Sequence, residues 1–434
     1  MRRILLASAL LLSIGCSRNA NGQDPGVGPS PRLPEPQRRL LPTVDIAPAE
    51  RWPAGQAPTP AAGLEVVRFA DGLQHPRWLH VLPNGDVLVA ESNAPAGKSG
   101  FGGIRGAVMK RVMAKAGAGT PSADRITLLR DADGDGRAEF RSVFASGLHS
   151  PLGMALIGER FFIANADGLV VGRYTSGATV LGPVRPFAPL PGGGDEMNHH
   201  WTKSLVASAD GKRLYVGVGS NSNVGENGMD AEIDRAAVLE IDAGSGQRRV
   251  YASGLRNPVG LAWAPRTGAL WAVVNERDEL GNDLVPDYLT AVEPGAFYGW
   301  PWFYWGDRAD PRIRPAPGQR LPPVRTPDYG LGNHVAPLGL AFAHDAKLGP
   351  RFAEGAFVGL HGSWNRKPQT GYQVIFVPFV AGKPSGAAPV VVLQDFVDAR
   401  GKARGRPVGV AIDASGQLLV ADDVGNAVWR VRAR

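Results

Sequence analysis

The chain contains a single cysteine, Cys16, among its 434 residues. An intrachain disulfide is therefore impossible, and the fold has to be held by core packing or by bound metal. No stretch approaches the ~20 consecutive apolar residues that a membrane-spanning helix needs. The sequence also has no glycine-rich phosphate loop between a strand and a helix and no Gly-x-Ser-x-Gly turn. These absences exclude the common nicotinamide-dependent enzymes and serine hydrolases.

Negative charge is in the minority, with 40 Asp and Glu against 47 Lys and Arg. The cations are scattered along the chain, which does not favour nucleic acid as a partner. Anionic small molecules or an anionic membrane surface fit this charge better. The 57 glycines and 37 prolines follow no collagen period, so they favour many short strands joined by turns. We therefore expect an all-β protein.

The N-terminus has the pattern of an export signal. Residues 1–16 contain Arg2-Arg3, an apolar run from Ile4 to Leu12 and a small-residue end at Gly15-Cys16. The end resembles a bacterial lipobox, in which the cysteine becomes acylated, although Ser13 stands where leucine is usual. This predicts a periplasmic, membrane-tethered lipoprotein, with plain secretion as the alternative. Residues 17–63 are rich in Pro, Gly and Ala and predict a flexible tether.

Six related units follow in residues 64–434. The clearest copies share Gly-Leu-x-x-Pro, an apolar strand, a turn and a second strand, and they begin near Gly72, Gly147 and Gly254. Looser copies begin near Ser204, Ala336 and Gly405. Six strand-rich repeats with loop insertions predict a six-bladed β-propeller, with a two-domain sandwich as the alternative. The strand that starts at Leu64 should complete the blade of the last repeat, and the turns before each blade should meet at one end of the channel.

Two acidic segments are candidate calcium sites, because carboxylate oxygens are the ligands that hard cations prefer. Asp131, Asp133 and Asp135 have the spacing of a calcium loop, although Ser142 stands where a full loop of that kind ends in Glu. Glu276, Asp278 and Asp283 lie on a later loop. A solvated turn at the first segment and an ion-pair network at the second are the alternatives.

Histidine and arginine side chains supply candidates for chemistry. A neutral histidine with its usual pKa of ~6.5 suits a general base, and His200 precedes the third repeat, although a structural histidine is more common. Four arginines start repeats or lie in their loops, and such guanidinium groups can bind a planar polycarboxylate by paired hydrogen bonds, unless they are merely scattered surface charges. They are Arg256, Arg366, Arg404 and Arg406.

Several motifs together resemble the soluble sugar dehydrogenases that use pyrroloquinoline quinone, in particular their sorbosone-dehydrogenase-like branch. The motifs are Asn198-His199-His200-Trp201-Thr202, Gly254-Leu255-Arg256-Asn257-Pro258, Asn275-Glu276-Arg277-Asp278, Leu284-Val285-Pro286-Asp287-Tyr288-Leu289, Leu360-His361-Gly362-Ser363-Trp364-Asn365-Arg366 and Gly405-Arg406-Pro407. The resemblance implies a six-bladed propeller that carries the quinone and calcium on its top face. It also implies a sugar substrate and an external electron acceptor.

Residue roles are implied by the same resemblance. His200 matches the base that takes the substrate hydroxyl proton, and Arg256 matches the cation that polarises the quinone oxygen. The positions that match cofactor contacts are Asn257, His334, Arg404 and Arg406, with Arg366 or its neighbour Lys367 as the counterpart of a cofactor-contacting lysine.

The chain departs from the family pattern at the metal site, where Arg277-Asp278 replaces the Gly-Pro of glucose-oxidising members. The departure suggests a site rebuilt with carboxylates. Two other functions remain open: a calcium-dependent lactonase on a similar propeller, and a non-catalytic propeller that binds a polysaccharide or a protein. For the second, the adhesive surface would be Trp300, Trp302, Tyr304 and Trp305.

Overall fold

The computed structural model describes residues 24–37, 43–95, 111–192 and 199–434. The predicted signal peptide, residues 1–16 with Cys16, lies outside these ranges, as do residues 17–23 and 38–42 of the predicted tether. Within the described ranges the strands form six sheets and one two-stranded hairpin. No helix among those residues is long and apolar enough to cross a membrane.

Each of the first three sheets is an antiparallel blade of four strands in consecutive order. Blade 1 contains β4 (Pro76–Val81), β5 (Val87–Glu91), β6 (Arg125–Arg130) and β7 (Phe140–Ala145). Blade 2 contains β8 (Met154–Ile157), β9 (Arg160–Ala164), β10 (Gly168–Arg173) and β11 (Arg185–Pro189). Blade 3 contains β12 (Lys203–Ala207), β13 (Arg213–Val218), β14 (Ala237–Asp242) and β15 (Arg248–Ser253).

The next two sheets each gain an outer strand from the N-terminal segment. Blade 4 contains β16 (Pro258–Trp263), β17 (Leu270–Val274), β18 (Pro286–Ala291), β21 (Tyr329–Asn333) and the added β1 (Val27–Gly28). Blade 5 contains β22 (Pro337–Phe342), β23 (Gly355–Leu360), β24 (Gln373–Val380), β26 (Val390–Gln394), the short β25 (Lys383–Pro384) and the added β2 (Thr59–Pro60). The hairpin is β19 (Phe303–Tyr304) with β20 (Arg308–Ala309), and the short helical turns are Ala114–Ala118, Met229–Glu232 and Pro350–Phe352.

Blade 6 joins the two ends of the propeller. It contains β27 (Pro407–Ile412), β28 (Leu418–Asp422), β29 (Ala427–Ala433) and, from the start of the domain, β3 (Leu64–Ala70). Strand β3 runs antiparallel to β29, with Trp429 opposite Arg68. The predicted six-bladed β-propeller is confirmed, and the predicted closure by the strand at Leu64 is observed.

Four of the six repeats have Pro-x-Gly at the start of the innermost strand, and the glycine is needed there for a steric reason. The innermost strands pack side by side around the channel. A Cβ on Gly260 would lie 2.8 Å from the carbonyl oxygen of Leu338 in the next blade, and a Cβ on Gly409 would lie 2.8 Å from that of Arg77. Gly339 would meet the carbonyl oxygen of Val408 in the same way. The blades can approach this closely only where side chains are absent.

The core lies between the blades rather than at one centre. Apolar side chains of blades 4 and 5 form one buried cluster that includes Trp271, Tyr329, Val358 and Phe379. Similar clusters join the other neighbouring blades. Each fully buried large apolar side chain contributes on the order of 1.5–3 kcal/mol, so packing alone can hold the ring together without disulfides.

The prediction that residues 17–63 form a flexible tether is wrong for the described parts of that segment. Its strands β1 and β2 are hydrogen-bonded to β21 and β26. Ala47 is fully buried, and the backbone of Ala49 pairs with that of Ala403. A chain rich in Pro and Gly has no core of its own, but its backbone groups can bond to a rigid surface. We call residues 43–60 the N-terminal strap.

Candidate functional site at the channel mouth

The innermost strands β12, β16, β22 and β27 all begin at the same end of the channel, which we call the channel mouth. Residues just before these strands therefore meet there, together with residues just after the second strand of each blade. The structure places six predicted site residues before those four strands: His200, Arg256, Asn257, His334, Arg404 and Arg406. The repeat thus gathers groups that are far apart in sequence.

His200 is held with one ring nitrogen fixed. Its Nδ1 lies 2.8 Å from the carbonyl oxygen of Ser220. A carbonyl only accepts hydrogen bonds, so Nδ1 carries the proton and Nε2 keeps its lone pair. Burial, together with the nearby charge of Arg256, holds the pKa of His200 well below 6.5. His200 is therefore a neutral imidazole at physiological pH, in the form that can accept a proton.

Gly219 lies between His200 and Asn257. A Cβ at position 219 would collide with the Oδ1 of Asn257 and with the Cβ of His200. Any other residue there would push the imidazole and the amide apart. The Oδ1 of Asn257 is buried and has no hydrogen-bond partner among the described residues, which leaves an acceptor beside the base.

Arg256 is buried, and its guanidinium is fixed by protein acceptors. Nη1 donates to the carbonyl oxygen of Glu276 at 2.7 Å, Nε donates to the carbonyl oxygen of Asn223 at 3.2 Å, and Nη2 donates to the Oδ1 of Asn223 at 3.0 Å. Nη2 also lies 3.5 Å from the Oδ2 of Asp278. The cation is thus rigidly placed between the third and fourth blades.

Asp278 is the carboxylate at this cation. Its Oδ1 accepts a hydrogen bond of 2.6 Å from Asn365 and lies 3.5 Å from the Nδ1 of His334. Burial alone would raise the pKa of Asp278, but the hydrogen bond from His334 and the charge of Arg256 lower it to about 2. Asp278 is therefore ionised at all ordinary pH values.

His334 is occupied on both ring nitrogens. Nε2 lies 2.9 Å from the carbonyl oxygen of Gly281, while Nδ1 faces Asp278. Burial would lower the pKa of His334, but the hydrogen bond and the charge of Asp278 raise it above 6.5. The cofactor contact predicted for His334 stays a prediction; among the described residues its ring contacts Asp278 and Gly281.

The predicted acidic metal site on the later loop is not assembled. Glu276 pairs with Arg277 at 2.9 Å, with both side chains buried, and Asp283 is half-exposed and pairs with Arg366 at 2.9 Å. The structure therefore does not bring Glu276, Asp278 and Asp283 into one set of ligands. Each carboxylate already faces a cation of the protein.

The first acidic segment is brought together. Ligand oxygens of Asp131, Asp133, Asp135 and Glu139 all lie within 4.8 Å of one another, the only such group among the described residues. Glu139 was missed because the sequence was compared only with a loop that ends in Glu at its twelfth position. This cluster lies on the loop between β6 and β7, and Asp131 also pairs with Arg430.

The predicted arginines differ in what they contact. Arg366 lies 3.0 Å from Asp24 and 2.9 Å from Asp283, so it is already paired twice. Arg406 is buried, its Nη2 donates to the carbonyl oxygen of Ala47 at 3.3 Å, and its Nε has no partner in the part of the chain that the structure describes. Within the described ranges Arg404 and Arg406 form no ion pair with a carboxylate. A buried guanidinium group without a carboxylate partner, such as that of Arg406, favours an anionic ligand.

A second group of titratable residues lies at the same mouth and was missed in the sequence. The Oδ2 of Asp423 accepts hydrogen bonds from Arg77 at 2.8 Å and from His361 at 2.9 Å, and His75 lies 3.8 Å away. Burial keeps the pKa of His361 at about 4 despite this carboxylate. His75 could have been found from the sequence, because it stands directly before the proline of the first repeat. Asn257 has the same position in the fourth repeat.

Five buried polar atoms at this mouth have no hydrogen-bond partner among the described residues. They are the Oδ1 atoms of Asn257, Asn365 and Asp423 and the Nε atoms of Arg77 and Arg406. An unpaired buried polar atom costs about 1–3 kcal/mol, so several of them in one place indicate a site built for a polar ligand.

Comparison with known proteins gives two family matches. Residues 192–362 match the family model for Glucose / Sorbosone dehydrogenase, and residues 322–434 match a model described as TrAA12-like. An uncharacterized protein from Borreliella burgdorferi is 24% identical over 300 residues, which cover 66% of this chain and 76% of that protein.

A relative with a named activity is the pyrroloquinoline quinone-dependent pyranose dehydrogenase of Coprinopsis cinerea. It is 26% identical over 288 residues, and the match covers 54% of this chain and 40% of the relative. The chain therefore spans about two fifths of that relative's length.

Solved structures share the fold. The holo form of the Coprinopsis pyranose dehydrogenase PQQ domain has a TM-score of 0.66 at 20% identity, covering 89% of this chain and 100% of that one. A calcium structure of a Trichoderma reesei protein of Carbohydrate-Active Enzymes Family AA12 has a TM-score of 0.68 at 17% identity, covering 90% and 99%. The resemblance that the motifs predicted is confirmed: this chain is a six-bladed propeller, and its residues 192–362 are similar to the glucose/sorbosone dehydrogenases.

Proposed function

We propose that this chain is a quinoprotein oxidoreductase that oxidises a sugar or a sugar-derived alcohol or aldehyde, with pyrroloquinoline quinone as its cofactor. One observation carries the proposal: Arg406, a buried arginine that pairs with no described carboxylate, lies at the same channel mouth as a neutral histidine whose Nε2 has no hydrogen-bond partner among the described residues. The pyrroloquinoline quinone-dependent pyranose dehydrogenase of Coprinopsis cinerea, a relative of this chain, supports the same chemistry.

The residues at the mouth fit this cofactor. Pyrroloquinoline quinone is planar and carries three carboxylates, and a guanidinium group binds carboxylates by paired, charge-assisted hydrogen bonds. Arg404 and Arg406 would hold carboxylates, and Asn257 would offer its unpartnered amide oxygen to a donor. When bound, the quinone supplies the two-electron acceptor for the oxidation.

The protein's own part in the reaction is to remove a proton and to stabilise charge. His200 would accept the substrate hydroxyl proton at Nε2, because its hydrogen bond to Ser220 commits Nδ1 as the donor. Arg256 would contribute a fixed positive charge without reorganisation, since its nitrogens are already held by Asn223 and Glu276.

Calcium does not fit the mouth in the same way. Among the described residues there, Glu276 faces Arg277, Asp283 faces Arg366, and Asp278 lies between Arg256 and His334. A divalent cation would have to displace these partners. The proposal therefore assigns no calcium to the described residues of the mouth and reserves the Asp131 cluster as the calcium candidate.

The two alternative functions have less support. A lactonase that uses a central metal would need a group of carboxylates in the channel, and the described part of the chain groups its carboxylates on the loop after β6. The aromatic surface of a binding propeller would need exposure, yet Trp300 and Tyr304 are buried. Trp300 also donates to the carbonyl oxygen of Asn223 and so supports the loop beneath Arg256.

The cofactor is tested by titrating the apo-protein with pyrroloquinoline quinone and following the quenching of tryptophan fluorescence. The double variant Arg404→Met/Arg406→Met should bind at least a hundredfold more weakly, because two charge-assisted contacts are lost. Arg173→Met is the control, since Arg173 is exposed, pairs with Glu159 and lies on blade 2. The proposal fails if the wild type does not bind, or if the double variant binds as well as the control.

The role of His200 is tested with the loaded enzyme by dye reduction on a panel of aldoses and sorbosone. Loss of a general base typically lowers the rate by about 10²–10⁴, so His200→Gln should retain quinone binding and lose turnover to that extent. His344→Gln is the control, because His344 is exposed. Full turnover in His200→Gln would assign the proton transfer to another group.

A further inference from the structure

The N-terminal strap reaches the cofactor-binding arginine Arg406 along two routes. The carbonyl oxygen of Ala47 accepts a hydrogen bond of 3.3 Å from Arg406 Nη2. The indole Nε1 of Trp52 donates to the Oδ2 of Asp422 at 2.7 Å, and the Oδ1 of Asp422 accepts the backbone N–H of Arg406 at 2.8 Å. One route holds the guanidinium and the other holds the backbone from which it extends.

The joint between Trp52 and Asp422 depends on two glycines. A Cβ on Gly405 would lie 2.6 Å from the Nε1 of Trp52, and a Cβ on Gly425 would lie 2.8 Å from the Cδ1 of the same ring. Both added atoms would also press on the carboxylate of Asp422. Positions 405 and 425 therefore have to be glycine if the indole of Trp52 is to reach the carboxylate of Asp422.

Packing keeps the indole in place. The ring of Trp52 makes edge-on contacts with Phe396 and Trp429, at centroid distances of 5.6 Å and 5.5 Å. Trp429 also donates to Asp422, at 3.0 Å. The carboxylate is buried and receives N–H groups from Trp52, Trp429, Gly425 and Arg406. The strap thus contributes one of four donors to a buried anion that fixes Arg406.

The guanidinium itself has few other restraints. It lies over the ring of Tyr372 at 4.9 Å, its Nε is unpartnered, and no described carboxylate pairs with it. A buried arginine with so few side-chain contacts needs its backbone placed accurately if it is to meet a ligand carboxylate.

We propose that Trp52 is a positioning residue for Arg406, acting through Asp422, and that the N-terminal strap is a working part of the cofactor site. This inference rests on the proposed function for the identity of the ligand. The contacts themselves belong to the protein without any ligand. The two claims can therefore be tested separately.

The first test compares Trp52→Phe, which keeps an aromatic ring and removes the N–H donor, with wild type. Loss of a hydrogen bond to a charged group should weaken pyrroloquinoline quinone binding about tenfold or more, as measured by fluorescence titration. Turnover with saturating quinone should stay within about twofold, because Trp52 touches neither His200 nor Arg256. Trp271→Phe is the matched control: Trp271 is buried between blades 4 and 5 and its Nε1 has no partner.

The second test uses the apo-protein and hydrogen exchange. The Arg406 amide should exchange at least about tenfold faster in Trp52→Phe than in wild type or in Trp271→Phe, since the acceptor that protects it is loosened. Unchanged exchange together with unchanged quinone affinity overturns the inference. If the wild type binds no quinone, the proposed function fails, while exchange at Arg406 still decides whether Trp52 positions it.

Discussion

Substitution of Arg277 tests whether its buried ion pairs and hydrogen bonds stabilise the loop after β17. Its side chain is 0% exposed, and its nitrogens bond to Glu276 at 2.9 Å, to Asp310 at 3.2 Å and to the carbonyl oxygens of Pro301 and Phe303 at 2.8 and 2.6 Å. Arg277→Met would leave the buried carboxylate of Glu276 without a cation. Asp310 would keep Arg312, at 2.9 Å.

The magnitude follows from which charge is stranded. Removing one partner of a buried pair costs about 3–5 kcal/mol, because the remaining charge stays desolvated. We expect Arg277→Met to lower the free energy of unfolding by about that amount in urea denaturation at pH 7. The double variant Arg277→Met/Glu276→Gln should recover at least about 1.5 kcal/mol, because the stranded charge is gone.

The control is an exposed pair of the same residue types. Arg173 and Glu159 lie 2.9 Å apart with side chains 75% and 64% exposed, and Arg173→Met should leave the denaturation midpoint unchanged. A loss below about 1 kcal/mol in Arg277→Met would refute the reasoning. So would a double variant that is no more stable than the single one.

Two further predictions concern Asp278 and calcium. Asp278→Asn should lower the free energy of unfolding by about 2 kcal/mol at pH 7, because the pKa of Asp278 falls from 3.8 to about 2 on folding. This stabilisation is present above pH 3.8 and is lost as the pH falls through about 2. The difference in free energy of unfolding between wild type and Asp278→Asn, measured in urea, should therefore shrink from pH 5 to pH 3. A difference that does not change with pH would contradict the lowered pKa of Asp278. Chelation with EGTA should leave quinone affinity within about twofold, since Glu276 and Asp283 face arginines, and a tenfold loss would show that the mouth does hold calcium. Calcium should instead raise the Tm of the apo-protein, and Asp133→Asn/Asp135→Asn should abolish that rise if the loop after β6 is the site.

The fold was predictable because it is a repeat, and the repeat has a steric cause. Glycines such as Gly260, Gly339 and Gly409 recur where neighbouring innermost strands nearly touch. The regular recurrence of these glycines in the sequence therefore indicates a ring of closely packed blades. The closure of blade 6 was predictable for the same reason, because a repeat that ends one strand short needs a strand from elsewhere.

The partners of the charged groups were not predictable. The sequence indicates that Glu276 and Asp283 are acidic, but not that Arg277 and Arg366 neutralise them. The partner of Asp283 is distant in the chain, and Arg277 could have pointed into the channel instead of beneath it. Position before an innermost strand is a property of the sequence repeat, whereas the ion pairs of each residue depend on loops that the repeat does not specify.

The prediction of a flexible tether was wrong for the N-terminal strap because composition indicates only that the segment has no hydrophobic core of its own. Composition does not show that the segment packs on the surface of the propeller. Nothing periodic marks residues 43–60. The segment docks through backbone hydrogen bonds, the ring of Trp52 and ion pairs of Glu50 with Arg400 and Lys402. A lone aromatic residue in a low-complexity stretch was the available signal.

The pairing of β3 with β29 closes the ring of blades. A ligand that binds at the channel mouth should therefore bind tightly only when both strands are present and paired. Arg404 and Arg406 lie in the blade that is finished only when the first strand of the domain pairs with the last. A growing or truncated chain therefore has no complete mouth, and a ligand that binds only the closed ring stabilises it by RT ln(1 + [L]/Kd). The cofactor would then stabilise the pairing of β3 with β29 by mass action. Its removal should weaken this pairing before the contacts between any other two blades.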